Sequence, residues 1–225
     1  MDKQQGASAT TIKRPPRLGD EVYNSVYAQL MSQKILPGSR ISIDNLAREL
    51  GVSQTPIREA LSRLEAQGLI VKTHLIGFSA APQVDRARFD QIYEMRMLLE
   101  PHVARKAAGN IDAGQLATLE RLATEMRGDG DREVASYSDF AQLDGEFHDT
   151  IARACGNELM RETLANLHTH IHLFRLFPHS GATTKANSEH ADLLAALVAH
   201  DPAAAEKAMR NHVKRSYARF STYFD

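Results

Sequence analysis

The chain has 225 residues, of which 43% are hydrophobic, and a formal net charge of −1 at pH 7. Its single cysteine, Cys155, excludes an internal disulfide. The sequence has neither a cationic start followed by an apolar segment nor an apolar run long enough to cross a bilayer. We therefore expect a cytoplasmic protein with packed cores and no membrane contact.

The charge is distributed unevenly along the chain. Residues 1–82 carry ten Lys and Arg against seven Asp and Glu, whereas residues 83–225 carry seventeen against twenty-one. The near-neutral total by itself argues against a nucleic-acid binder. A basic first part followed by an acidic remainder, however, suits DNA binding at one end of the molecule only.

The first elements along the chain have the order of a winged helix-turn-helix domain. Residues 1–18 are polar with little apolar surface to bury, which predicts a flexible tail. Apolar periodicity and turn residues then predict helices over 19–34, 44–50 and 53–67. Short apolar segments at 69–71 and 78–81 flank a turn and predict a hairpin. We assign residues 19–82 to this DNA-binding domain.

Beyond residue 82 the strand signals end and helical periodicity continues. Gly, Asn and Pro residues separate the periodic segments, as expected for turns between helices. About six helices are predicted, over 86–108, 112–127, 132–154, 157–177, 187–200 and 202–222. The fold class is therefore mostly α, with an all-α bundle over 83–225 behind the winged helix-turn-helix.

The third predicted helix begins with side chains suited to DNA. A helix that enters the major groove needs hydrogen-bond donors to phosphates and base edges in its first turn. The polar residues there are Ser53, Gln54, Thr55 and Arg58. A winged helix used for protein interaction would fit the same pattern, so the pattern alone leaves both interpretations open.

Residues 46–70, LARELGVSQTPIREALSRLEAQGLI, closely resemble the DNA-binding core of GntR-family transcription regulators. The resemblance implies that Ser53, Thr55 and Arg58 touch the operator. It also implies that Gly77 lies at the tip of the wing, near the minor groove.

The chain departs from the usual GntR pattern at two positions. Gln54 stands where the family usually has Arg or Lys, and Ile76 precedes the wing glycine where a basic residue is common. These departures leave operator sequence and affinity open, but not DNA binding itself. Arg40, Lys72 and His74 are candidate compensating contacts, although solvated surface positions explain them equally well.

In the helical region, four titratable residues fall on core-facing sides. Asp144 and His148 lie one turn apart beside an apolar stripe, and His190 and His212 align with apolar residues of two further helices. Buried groups of this kind must be hydrogen-bonded, paired or bound to metal. An Asp–His hydrogen bond explains the first pair alone, whereas four ligands on three helices suit a first-row metal. Spacing does not decide between these interpretations.

A longer pattern in this region resembles the FCD ligand-binding domain of the FadR subfamily of GntR regulators, nearer its shorter, VanR-like branch. The pattern comprises Asp144-x-x-x-His148, Gly156-Asn157, Glu189-His190 and Arg210-x-His212. The resemblance implies one divalent metal per chain, with zinc expected before nickel, manganese or iron. Its implied ligands are Asp144, His148, His190 and His212.

Three residues are candidates for contact with an effector. Arg96 shares a helical side with apolar residues and needs an anionic partner there. Glu100, one turn away, could form that salt bridge, whereas the FCD resemblance implies that Arg96 faces the ligand cavity. His168 and Arg175 flank an apolar stripe and are secondary candidates. The remaining histidines of this region are interpreted as surface or packing residues: His102, His170, His172, His179 and His200.

Together these patterns predict a homodimeric transcription repressor on a palindromic operator, modulated by a small organic acid such as a hydroxy- or dicarboxylic acid. A regulator that senses the metal itself is one alternative. A metal-dependent hydrolase or lyase is the other, but the sequence has no His-Glu-x-x-His motif, nucleophile elbow or Gly-rich phosphate loop. We therefore predict that the chain is not an enzyme.

Overall fold

The computed structural model describes residues 18–128, 136–176 and 182–225. The tail predicted over 1–18 lies outside these ranges except for Leu18, and so does the predicted helical segment 132–135. Within the described ranges, no helix is both long and apolar enough to cross a membrane.

The first domain is a winged helix-turn-helix, as predicted. Its elements are α1 (Leu18–Met31), β1 (Arg40–Ile41), α2 (Ile43–Leu50), α3 (Gln54–Ala66), β2 (Ile70–Thr73) and β3 (Gly77–Ala80). The antiparallel strands have the order β1-β3-β2. The sequence pattern misses β1, because two residues are too few to show an alternating period.

Capping residues fix the ends of the helix-turn-helix. The Ser42 hydroxyl accepts a hydrogen bond from the Asn45 amide at the start of α2. Gly51 follows α2 with a φ of 66°, and Gly68 follows α3 with a φ of 72°. Only glycine adopts this left-handed conformation without strain, so both glycines end their helices as the sequence predicts.

The second domain is an all-helical bundle. Its helices are α4 (Arg86–Asn110), α5 (Ala113–Arg127), α6 (Tyr137–Ala154), α7 (Glu158–Asn166), α8 (Thr169–Leu176), α9 (Ala182–Val198) and α10 (Pro202–Ser221). In its centre, α4 packs against α6, α9 and α10. The single helix predicted over 157–177 is divided into α7 and α8, because His168 has a φ of 48° and interrupts the helical backbone.

The two domains are in contact through α1 and the segment after the wing. Helix α1 packs against α6 and α8. Arg175 on α8 is 1% exposed, and its Nη2 donates to the Ala81 carbonyl oxygen at 2.7 Å. The Arg175 carbonyl oxygen accepts from the Gln33 and Gln83 amides, each at 2.7 Å. Arg175 therefore ties the helical bundle to the DNA-binding domain.

Candidate metal centre and DNA-binding groove

An open groove of about 580 Å³ runs between the helix-turn-helix and the wing. Predicted DNA contacts that line it are Arg40, Gln54, Arg58, Lys72 and Gly77. Ser53 and Thr55 are exposed but lie outside this lining. The fold thus brings five of the seven predicted residues to one concave surface, and their contact with DNA remains a prediction.

Gln54 organises the first turn of α3. Its Nε2 donates to Asp44 Oδ1 at 2.6 Å, and its Oε1 accepts from Arg58 Nη2 at 3.2 Å. The Ser53 hydroxyl makes no capping hydrogen bond in this position. Ser53 therefore keeps a donor for a phosphate, while Gln54 orients the Arg58 guanidinium.

The wing tip differs from the position implied by the family resemblance. Gly77 is the first residue of β3 and pairs with Thr73, so it closes the hairpin. The turn beyond this pair contains Leu75, which is 93% exposed and has a φ of 63°. The residue at the tip is therefore Leu75, two positions before Gly77.

Three helices bring the four predicted metal ligands together. Asp144 and His148 come from α6, His190 from α9 and His212 from α10, and all four are buried. The candidate ligand atoms of the three histidines lie within 4.8 Å of one another. Asp144 Oδ1 lies 3.1 Å from His190 Nε2.

His212 is oriented by a carboxylate. Its Nδ1 lies 2.9 Å from Glu189 Oε2, and Arg219 binds both oxygens of Glu189 at 2.6 and 3.0 Å. Burial lowers the pKa of His212 to about 3, although the Glu189 hydrogen bond opposes this shift. His212 is therefore neutral at pH 7, and Nε2 is left as the nitrogen that can bind a metal.

His148 has a similar partner on α4. Its Nδ1 lies 3.2 Å from Glu100 Oε2, and Arg96 binds the same carboxylate at 2.6 and 3.3 Å. Burial would raise the pKa of Glu100, but the Arg96 charge and His148 hold it well below its usual range. Arg96 thus forms the salt bridge that the sequence allowed as an alternative to effector contact.

Asp144 is held between two imidazoles. His170 Nδ1 lies 2.6 Å from Asp144 Oδ2, on the side opposite His190. Burial would raise the pKa of Asp144, but the two histidines lower it well below its usual value. Asp144 is therefore a carboxylate. The interpretation of His170 as an ordinary surface or packing residue is corrected, since no sequence signal connects it to α6.

The cluster fits a divalent cation. His148 Nε2 and His190 Nδ1 are buried without a hydrogen-bond partner, whereas carboxylate oxygens lie 3.2 Å from His148 Nδ1 and 3.1 Å from His190 Nε2. Unsatisfied buried groups cost about 1–3 kcal/mol each. Two ligands with bonds of about 2.0–2.1 Å to one metal lie roughly 3 Å apart, as Asp144 Oδ1 and His190 Nε2 do.

A cavity of about 430 Å³ adjoins this cluster. His148, Glu100, His168 and His170 form part of its lining, whereas Arg96 and Arg175 do not. Arg96 instead borders a void of about 10 Å³, together with Asp144 and His212. Effector contact by Arg96 or Arg175 stays a prediction, and their observed partners favour structural roles.

A winged helix-turn-helix joined to an all-helical bundle defines a two-domain transcription regulator. Residues 18–79 match the model of the bacterial regulatory proteins of the gntR family, and residues 91–215 match that of the FCD domain. The chain therefore belongs to the GntR family of transcription regulators and carries an FCD domain.

Proteins that are similar to this chain include transcription regulators. The transcriptional repressor RspR of Escherichia coli is 27% identical over 207 residues, covering 91% of this chain and 90% of RspR. The Nta operon regulator of Aminobacter aminovorans is 32% identical over 145 residues, covering 64% of this chain and 67% of that protein. The solved structure of E. coli McbR/YncC has a TM-score of 0.66 and 23% identity, covers 94% of this chain and all of its own, and supports the fold.

Proposed function

We propose that the chain is a ligand-responsive transcription repressor that binds a palindromic operator as a homodimer and requires one divalent metal. The proposed metal ligands are Asp144, His148, His190 and His212, with zinc expected before nickel, manganese or iron. The observation that carries this proposal is the buried histidine cluster behind a DNA-binding domain, with His148 of that cluster in the wall of a 430 Å³ cavity.

The cluster supplies what a divalent cation needs. Asp144 provides a charged oxygen, and His212 is a neutral imidazole oriented by Glu189. A bound metal would supply a positive centre, and a metal that accepts five or six ligands would keep one or two positions beyond these four protein ligands for an anionic oxygen. A carboxylate effector in the adjoining cavity is the natural occupant of such a position.

The size of the cavity favours one of two kinds of signal. A regulator that senses the metal alone needs the cluster but no space beside it. The 430 Å³ cavity falls within the range of about 300–1,000 Å³ for small-molecule sites, which favours an organic effector. The regulator relatives and the DNA-binding domain do not favour a hydrolase or lyase.

Metal content tests this function most directly. We expect about one divalent metal per purified chain and nearly none in the double variant His148→Ala, His190→Ala, measured by elemental analysis. The matched control is His102→Ala, which removes an exposed histidine of α4 and should keep the metal. Equal, negligible metal in all three proteins would show that the cluster is a buried polar network only.

A further inference from the structure

The cavity beside the histidine cluster is shared by both domains. Most of its wall comes from the helical bundle, but Tyr23 and Tyr27 of α1 and Gln67 at the end of α3 close one side. Its 430 Å³ would hold on the order of a dozen non-hydrogen atoms, at about 30 Å³ for each. A ligand that fills the cavity would contact the DNA-binding domain and His148, the proposed metal ligand in its described lining, simultaneously.

The residues that line the cavity indicate which ligand fits the part of it that lies away from the metal site. Apolar side chains that face the cavity include Val103, Ile151, Leu164, Ile171 and Met209. Among the described lining residues, Arg161 is the one Lys or Arg, and its guanidinium already donates to Asp149 at 2.8 Å and to Glu158 at 2.9 Å. The described lining also has neutral polar side chains such as Gln142 and Thr169, but no unpaired Lys or Arg that could balance the charge of a second carboxylate, whose burial would carry a high desolvation cost.

Tyr23 connects the cavity wall to the DNA-reading helix. Its hydroxyl donates to Gln67 Oε1 at 2.6 Å, and the Arg63 guanidinium lies 4.1 Å from the centre of its ring. Both partners belong to the C-terminal end of α3, with Gln67 as its cap. A ligand that displaces Tyr23 must also displace or release this end of α3.

A second contact joins the cavity to the same end of α3. His168, which lines the cavity, packs against Gly68, directly after the helix cap. A Cβ at Gly68 would lie 2.9 Å from His168 Cδ2, so the His168 ring packs against the Gly68 backbone as closely as a glycine allows. The break between α7 and α8 places His168 at this position.

We propose that the effector is a monocarboxylic acid with an apolar body, which acts on α3 by direct contact. Its carboxylate would lie at the metal site beside His148, and its body would press on Tyr23, Tyr27 and Gln67. This inference rests on the proposed function. It narrows the small carboxylate expected from the sequence to a monocarboxylic acid with an apolar body, in place of the hydroxy- or dicarboxylic acid named there as an example. The coupling is reciprocal, so operator DNA must change acid affinity by the factor by which the acid changes operator affinity.

Ligand class is tested by thermal unfolding of the metal-loaded full chain with octanoate, phenylacetate or malate. A ligand that binds the folded state raises the melting temperature. We expect a rise with octanoate or phenylacetate and none with malate. A larger rise with malate, or no rise with either monocarboxylate, overturns the proposed ligand class.

Direct contact is tested with Tyr23→Phe, which keeps the ring but removes the hydrogen bond to Gln67. We measure the Kd of each protein for its operator with and without octanoate or phenylacetate. The operator is a palindrome that the wild-type protein selects from random duplex DNA. We expect the acid-induced change in Kd to shrink at least about fivefold, within the usual range of coupling factors. Gln67→Ala should reproduce this loss from the partner side.

Tyr217→Phe is the matched control, because the Tyr217 hydroxyl bonds to Asp90 at 3.0 Å on the bundle surface, away from the cavity lining. Unchanged coupling in both Tyr23→Phe and Gln67→Ala overturns direct contact. Metal content and operator binding without acid report on the proposed function separately. A wild-type protein that carries no metal or does not bind the operator would refute that function. A wild-type protein that does both, combined with unchanged coupling in the two variants, would refute only this inference.

Discussion

The DNA-binding groove and the histidine cluster are built in opposite ways. The predicted DNA contacts that line the groove are exposed, fall within residues 40–77, and make few side-chain hydrogen bonds, all within the helix-turn-helix. The cluster residues are buried, come from α6, α9 and α10, and contact Glu100 of α4 and His170 of α8 as well. Changes in the groove should therefore alter binding without altering the fold, whereas changes in the cluster should alter both.

Replacing Arg58 with Ala should have the largest effect on the groove side. An arginine that reads a base or phosphate is worth about 1–3 kcal/mol, so operator affinity should fall roughly 10- to 100-fold and its salt dependence should flatten. Fluorescence anisotropy at several salt concentrations measures both quantities. Arg153→Ala on α6 removes an exposed arginine outside the groove and should change neither; unchanged operator affinity in Arg58→Ala would remove α3 from the DNA interface.

Glu189→Gln should weaken the cluster without removing a ligand. The Glu189 carboxylate orients His212 and is itself held by Arg219, so its neutral analogue leaves a guanidinium partly unpaired. Loss of such a supporting carboxylate usually lowers metal affinity 10- to 100-fold. Competition with a chromogenic chelator measures the change, and Glu206→Gln, which alters an exposed ion pair, is the control. Identical metal affinity in the two variants would contradict the role assigned to Glu189.

Alanine substitutions at two glycines test how tightly the DNA-binding domain packs against the helical bundle. Gly51 and Gly68 have φ values of 66° and 72°, so alanine strains both by about 1 kcal/mol. No described atom lies within 4 Å of a Cβ at Gly51, whereas His168 Cδ2 lies 2.9 Å from one at Gly68. Gly68→Ala should therefore lower the free energy of unfolding by about 1 kcal/mol more than Gly51→Ala. His168→Ala should abolish this excess in a double-mutant cycle, and an excess that persists would place the strain elsewhere.

The groove was largely predictable from the sequence because its shape depends on residues that are close together along the chain. Ser42, Gly51 and Gly68 set helix ends within a few residues, and the motif over 46–70 places Arg58 and Gln54 in one turn. The wing tip was misplaced by two residues, since the apex depends on which pair closes the hairpin. Leu75 carries no sequence signal for a left-handed backbone.

The cluster was predictable only in part. Helical periodicity predicts that each ligand lies on a core-facing side of its helix. It does not predict that α6, α9 and α10 come together, because that is a long-range property; this part of the prediction came from the family resemblance. The supporting residues were missed for the same reason. His170 reaches Asp144 only because the backbone breaks at His168, and Glu189 reaches His212 across two helices.

The net charge of the cluster bears on the charge of the proposed effector. With the histidines counted as neutral, its buried carboxylates are Asp144, Glu100 and Glu189 and its guanidiniums are Arg96 and Arg219, which leaves one net negative charge. A divalent cation would reverse this to one net positive charge. A single carboxylate would then restore neutrality, whereas a dianion would leave an uncompensated charge in a region of low dielectric. In a metal-loaded site of this composition, charge balance would therefore favour a monoanionic effector over a dianion.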